Sequence, residues 1–119
     1  MKILITGGTG FIGSHLAEHL VKKNYKVTVF DRYNISNSYG WLEKSKYKSK
    51  IKFILGDIRD YDSTFKALKN IDVVLHLAAL IGIPYSYISP TAYLKTNVEG
   101  TLNVLEASKN LRLKQVIIT

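Results

Sequence analysis

The sequence predicts an α/β domain: a three-layer, doubly wound parallel sheet with strands in the order 3-2-1-4-5. Three observations predict it. Short apolar runs alternate with stretches of helical period, the pattern of parallel strands joined by crossover helices. The apolar runs are continuous, as strands covered on both faces should read. The first run leads directly into the glycine-rich turn GGTGFIG (7 to 13) and then an amphipathic stretch, so strand, tight turn and helix follow in succession.

The strands read as KILIT (2 to 6), KVTVF (26 to 30), IKFIL (51 to 55), DVVLHL (72 to 77) and QVIIT (115 to 119). The first helix sets Ile12, Leu16 and Leu20, and Ala17 and Val21, at i, i+4 spacing. A short helix near 62 to 69 is expected to bury Phe65 and Leu68. A third begins just after Pro90, with an apolar face of Leu94, Val98, Leu102 and Leu105. Gly100 inside it costs about 1 kcal/mol relative to alanine, which implies close packing against a strand. Right-handed crossovers then give the strand order above, with a crevice at the carboxyl ends of strands one and four. Two long loops reach that crevice: DRYNISNSYGWLEKSKYKSK after the second strand and ALIGIPYSYISP after the fourth. Thr119 closes a strand at an edge where further α/β units would follow. The expected architecture is therefore a Rossmann-type domain (residues 1 to 119) truncated after its fifth strand.

Composition removes several function classes. A hydrophobic content of 46% suits one globular domain and excludes wholesale disorder. No apolar run approaches a membrane span, and the chain enters strand structure at once without a charged leader, so a cytoplasmic protein with no membrane partner is expected. The absence of cysteine excludes disulfides, thiolate nucleophiles and cysteine-bound zinc. A net charge of +8 raises the question of nucleic acid, but the lysines are scattered apart from EKSKYKSKIK (43 to 52). They read as a solvated surface, and no nucleic-acid partner is expected. His15 and His19 flank Glu18 without the His-Glu-x-x-His order or a third ligand, so no metal is expected.

The glycine turn carries the chemistry. Gly7 can adopt the backbone angles of the turn, Gly10 lets a pyrophosphate approach the backbone, and Gly13 permits close packing of helix on strand. Free N–H groups around Phe11 and Ile12 would meet the phosphates, aided by the helix dipole. Asp31 ends the second strand eighteen positions after Gly13, where a carboxylate accepts from an adenosine ribose. A nucleoside-triphosphate loop is excluded, because Ile12, Gly13 and Ser14 offer no lysine. Asp31 would repel a 2′-phosphate while the adjacent Arg32 would attract one; the balance favours NAD over NADP. In LGDIRD, Asp57 and the Ile58 amide are positioned to meet adenine. The alternative for Asp57 is a helix cap, which Asp60 or Asp62 could equally supply. Ala78 and Ala79 in HLAA leave room for ribose and phosphate.

Taken together, GGTGFIGSHL, Asp31, GDIRD, HLAA and TNVEGTLNVLEAS resemble the N-terminal half of an extended short-chain dehydrogenase/reductase, within the NAD-dependent epimerase and dehydratase group. YNISNSYGWL and LAALIGIPYSYISP are similar to the nucleotide-sugar 4,6-dehydratases of the legionaminic-acid pathway, which act on a nucleotide-linked N-acetylglucosamine. The resemblance implies that Phe11 and Ile12 hold the pyrophosphate, and that Asp31, Asn34 and Ser36 hold the ribose. It also implies that Asp57 and Ile58 read adenine, and that Leu77, Ala78, Ala79 and Ile81 line the path to nicotinamide. Asn97 would sit behind the active site, or serve only as a helix residue bonded to a neighbouring strand. The loop carrying Ile83, Pro84 and Tyr85 would approach a nucleotide-sugar substrate, its tyrosines otherwise being anchors that order the loop. A homodimer is the expected assembly.

The family's reaction needs a tyrosine base with a lysine four residues on. None of the eight tyrosines has one. The catalytic pair is therefore expected beyond Thr119, and these residues are expected to be inactive alone. A C4 epimerase of the same family, or a cofactor-binding sensor without catalysis, stays open on the sequence.

Overall fold

Five parallel strands form one sheet in the order β3-β2-β1-β4-β5 in the computed structural model, which describes residues 1–119. They are β1 (Lys2–Thr6), β2 (Lys26–Asp31), β3 (Ile51–Leu55), β4 (Val73–His76) and β5 (Gln115–Ile118). The central strand sets Ile3 opposite Val27 on one side and Val73 on the other. Side chains alternate along a strand, so each central strand feeds two cores. Leu4, Phe30 and Val74 pack with Ile58, Leu68 and Val104 under α2 (Tyr61–Leu68) and a long helical rod. Ile5, Val27 and Val29 pack with Ala17, Val21 and Leu42 under α1 (Phe11–Lys22) and the loop after β2. Helix, sheet and helix make the three layers. That loop is pinned by two single 3-10 turns, Gly40–Leu42 and Lys48–Lys50, and by the fully buried Leu42.

Asp60 caps α2 by accepting from the Ser63 amide at 3.2 Å. The loop after β4 contains α3 (Ile83–Ile88), a short helix where the sequence predicts only loop; Pro84 sits in its first turn, where its missing N–H costs nothing. The rod then runs through α4 (Pro90–Tyr93), a π-helical turn at Leu94–Glu99, and α5 (Gly100–Asn110).

The structure corrects three expectations. First, the rod does not bury its apolar stripe. Leu94, Val98, Leu102 and Leu105 are 60%, 60%, 56% and 40% exposed, while Thr96, Gly100, Val104, Ala107 and Ser108 face inward. Small side chains let the rod approach closely, and periodicity marks an apolar face without saying what covers it. Second, Gly100 packs on Ile58, in the loop after β3, and not on a strand: a Cβ there would lie 2.6 Å from Ile58 Cδ1. In the same way, a Cβ on Gly13 would strike the Gly7 carbonyl and Gly8 within the turn, and it is Gly8 that meets β2, through Val29. Third, β5 is not covered on both faces, since Ile117 and Ile118 are exposed at the sheet edge.

Candidate functional site

A cavity of about 690 Å³ opens where β1, β2 and β4 end, at the position where the strand order reverses. Gly7, Gly10, Phe11, Ile12, Gly13, Asp31, Asp57, Ile58, Leu77, Ala78, Ala79 and Ile81 all line it. Gly7 has φ +70°, and a Cβ there would sit 2.9 Å from the Ala78 amide nitrogen, so the turn needs glycine for both conformation and space. The first bond of α1 runs from the Ser14 amide to the Gly10 carbonyl at 2.9 Å. The amides of Phe11, Ile12 and Gly13 therefore donate to nothing within the chain. They form a ready anion cradle at the positive end of a twelve-residue helix.

Asp31 stands across from this cradle. Its Oδ2 accepts from the Thr9 hydroxyl at 2.5 Å and the Thr9 amide at 3.1 Å, and its Oδ1 accepts from the Arg32 amide at 2.9 Å. Asp57 is held differently. The Arg59 guanidinium grips both of its oxygens, with the shortest contact 2.6 Å, and keeps the carboxyl below the usual carboxylate range. Helix α2 takes its cap from Asp60, so Asp57 does not serve as one. The Ile58 side chain is buried against Gly100, and its carbonyl accepts from Asn103 at 2.9 Å.

A buried polar relay supports the cavity floor. Thr101 Oγ1 donates to the Asn97 carbonyl at 2.7 Å, so the His76 Nε2–H donates to Thr101 at 3.0 Å. His76 Nδ1 is then an acceptor, and the Thr6 hydroxyl donates to it at 2.7 Å. The same Thr6 oxygen accepts from the Leu77 and Ala78 amides at 3.2 and 3.1 Å. Every proton has a place only if His76 is neutral, and burial pushes its pKa down in the same direction. Asn97 completes the frame: its Oδ1 accepts from the Leu80 amide and its Nδ2 donates to the Leu80 carbonyl, both at 2.9 Å. These bonds fix Leu77 to Leu80 as a rigid wall. The π-helical turn, a device frequent at functional sites, carries Thr96 into the cavity lining and Asn97 behind the Leu80 backbone.

Six of the residues named from sequence are not in the cavity lining. Asn34 and Ser36 close their own loop: Asn34 Oδ1 accepts from Ser36 Oγ and the Ser38 amide, both at 3.0 Å. Asn97 acts from behind the wall. Ile83, Pro84 and Tyr85 begin α3 outside the cavity, where Tyr85 packs on Tyr93 with ring centres 6.0 Å apart, and the Tyr93 hydroxyl donates to the Gly82 carbonyl. Sequence reasoning missed Thr9, Phe30, Leu80, Thr96, Thr119 and the small Gly56 in the lining. Thr9 alone had a readable signal, a hydroxyl inside a turn whose motif asks only for glycines.

The sheet order, the glycine turn and the cavity at the switch point define a Rossmann-type doubly wound α/β domain. Within that class, a family model described as GDP-mannose 4,6 dehydratase matches residues 4–118, and the chain belongs to this family. It is 40% identical to a dTDP-D-glucose 4,6-dehydratase of Dictyostelium discoideum, over 98% of this chain and 28% of that protein. Solved structures that share its fold include two with NAD bound. One is a dTDP-glucose 4,6-dehydratase of Streptomyces venezuelae with NAD bound, at TM-score 0.85 and 30% identity, covering 98% of this chain and 38% of that one. The other is a UDP-glucose 4-epimerase of Thermus thermophilus in complex with NAD, at TM-score 0.80 and 30% identity, covering 98% and 36%. The chain thus spans about a third of the length of the relatives it matches. No helix is long and apolar enough to cross a membrane.

Proposed function

We propose that this chain is the NAD-binding part of a nucleotide-sugar 4,6-dehydratase. One observation carries the reading: three unpartnered helix amides and an acidic side chain at the end of β2 face the same cavity, the donor and acceptor set that a diphosphate joined to a ribose requires. The cavity's volume lies in the range of cofactor sites, and the space beside Gly7 and Gly10 is space a side chain would fill. The phosphates would rest on the Phe11 and Ile12 amides, the ribose against Asp31, and adenine beside Asp57 and Ile58. Ala78, Ala79 and Ile81 would flank the nicotinamide end. When bound, NAD supplies the hydride acceptor for the sugar C4 and the donor that restores a hydride at C6 after loss of water.

The chain's own residues bind, orient and keep the wall rigid. The reaction also needs a tyrosine–lysine acid/base pair at four-residue spacing, which is not among these 119 residues. A nucleotide-linked N-acetylglucosamine is the substrate this reading favours, and the cytoplasm the compartment. A homodimer would cover the exposed Leu94, Val98, Leu102 and Leu105 stripe. The likeness to UDP-glucose 4-epimerases supports a second reading, a C4 epimerase using the same cofactor site. Incubating the full-length protein with UDP- or GDP-N-acetylglucosamine separates the two. A 4-keto-6-deoxy product supports the dehydratase, and a C4-inverted sugar without loss of water overturns it. Calorimetric titration tests the cofactor: tighter binding of NADPH than of NAD would refute the role given to Asp31.

A further inference from the structure

We infer that Thr9 is a positioning residue that sets the preference for NAD over NADP, by fixing the carboxylate that meets the ribose. The inference rests on the dinucleotide reading above. Asp31 receives three donors, two from Thr9 and one from the Arg32 amide, so its carboxylate has one orientation. Thr9 is itself held from the other side. Its carbonyl accepts from the Trp41 amide at 3.0 Å, and Gly40, at φ +53°, passes so close that a side chain there would strike that carbonyl.

Counting acceptors shows what this arrangement selects. Both lone-pair directions of Asp31 Oδ2 are taken, and Oδ1 keeps one open. The Thr9 hydroxyl has spent its proton on Asp31, so it acts on a ligand only through the carboxylate it holds. A fixed carboxylate with an open acceptor position suits a ribose hydroxyl, which brings a proton. A 2′-phosphate brings negative charge and only acceptors. An unpinned Asp31 would rotate away from such a phosphate and leave it to the Arg32 guanidinium, which bonds to nothing in the chain. With Thr9 in place, that escape is closed.

The test is the ratio of NAD to NADP dissociation constants, measured by calorimetry on the full-length protein. Thr9→Val keeps the branched shape and removes the hydroxyl. It should weaken NAD about ten-fold and leave NADP unchanged or tighter, lowering the preference at least ten-fold. Thr9→Ser should restore the preference to within about three-fold. Thr9→Ala removes the hydroxyl without a methyl beside Gly40, and should give the same loss if the valine variant folds poorly. In an Asp31→Asn background the Thr9→Val effect on the ratio should vanish, because Thr9 acts through Asp31. An unchanged ratio in both hydroxyl-free variants, or equal weakening of both nucleotides, overturns the inference while leaving the dinucleotide site standing. If the unmodified protein binds neither nucleotide, the dinucleotide reading fails and this inference fails with it.

Discussion

Replacing Thr6 by valine tests the relay beneath the cavity floor. The substitution conserves volume in a fully buried site, so packing terms nearly cancel and the hydroxyl alone is lost. That hydroxyl makes three hydrogen bonds, but their loss is not equally costly. The Leu77 amide keeps a second partner, the Thr6 carbonyl at 3.2 Å. The Ala78 amide and His76 Nδ1 have no other partner. An orphaned buried acceptor costs about 1–3 kcal/mol, and a half-buried amide facing the cavity about 1. The expected loss is therefore about 3 kcal/mol, a large share of the 5–15 kcal/mol typical of a domain. Urea unfolding of Thr6→Val should show the midpoint falling with the slope unchanged, and Thr6→Ser should recover most of the loss. NAD affinity should fall too, because Ala78 lines the cavity. A loss below about 1 kcal/mol, or no recovery with serine, would refute the relay as the support of that wall.

Three further outcomes follow from the same geometry. Gly100→Ala should gain about 1 kcal/mol of helix propensity but lose more by crowding Ile58, for a net loss of about 1 kcal/mol; a raised melting temperature would contradict the close contact. Burial holds His76 below the ordinary value of about 6.5, so the unfolded chain takes its proton first. Stability should be flat above about pH 6.5 and fall below it, by at most about 1.4 kcal/mol per pH unit from this group, while the lowered Asp57 matters only below about pH 4. Urea midpoints from pH 8 to 5 measure this, and stability rising toward pH 5 would contradict it. Val98→Glu with Leu102→Glu should give a full-length protein that sediments as a folded monomer. A dimer persisting with this pair of changes would remove the helix stripe as its interface.

Much of the architecture was legible because local and global signals agree. KILIT, GGTGFIG and the helix after them specify strand, turn and helix within twenty-odd residues, and parallel topology then leaves little choice of strand order. Asp31 and the HLAA segment were legible for the same reason, since strand ends place them in the crevice. What escaped depends on contacts distant in sequence. Leu94 and Val98 have the spacing of a core face, yet the inward face belongs to Gly100, Val104 and Ala107, because closeness to Ile58 selects small residues there. Asn34 and Ser36 sit at suitable sequence positions, but an asparagine near a serine satisfies its own loop first. The role of Thr9 needs two segments brought together, and no pattern within either one encodes it.

The proposed dinucleotide site joins the amides opening α1 to the Asp31 carboxylate. A crystal structure of the full-length protein grown with NAD tests it most directly. Pyrophosphate oxygens should lie within hydrogen-bonding distance of the Phe11 and Ile12 amides, with the adenosine ribose on Asp31. NAD seated elsewhere, or a diphosphate that leaves those amides without a partner, would contradict it.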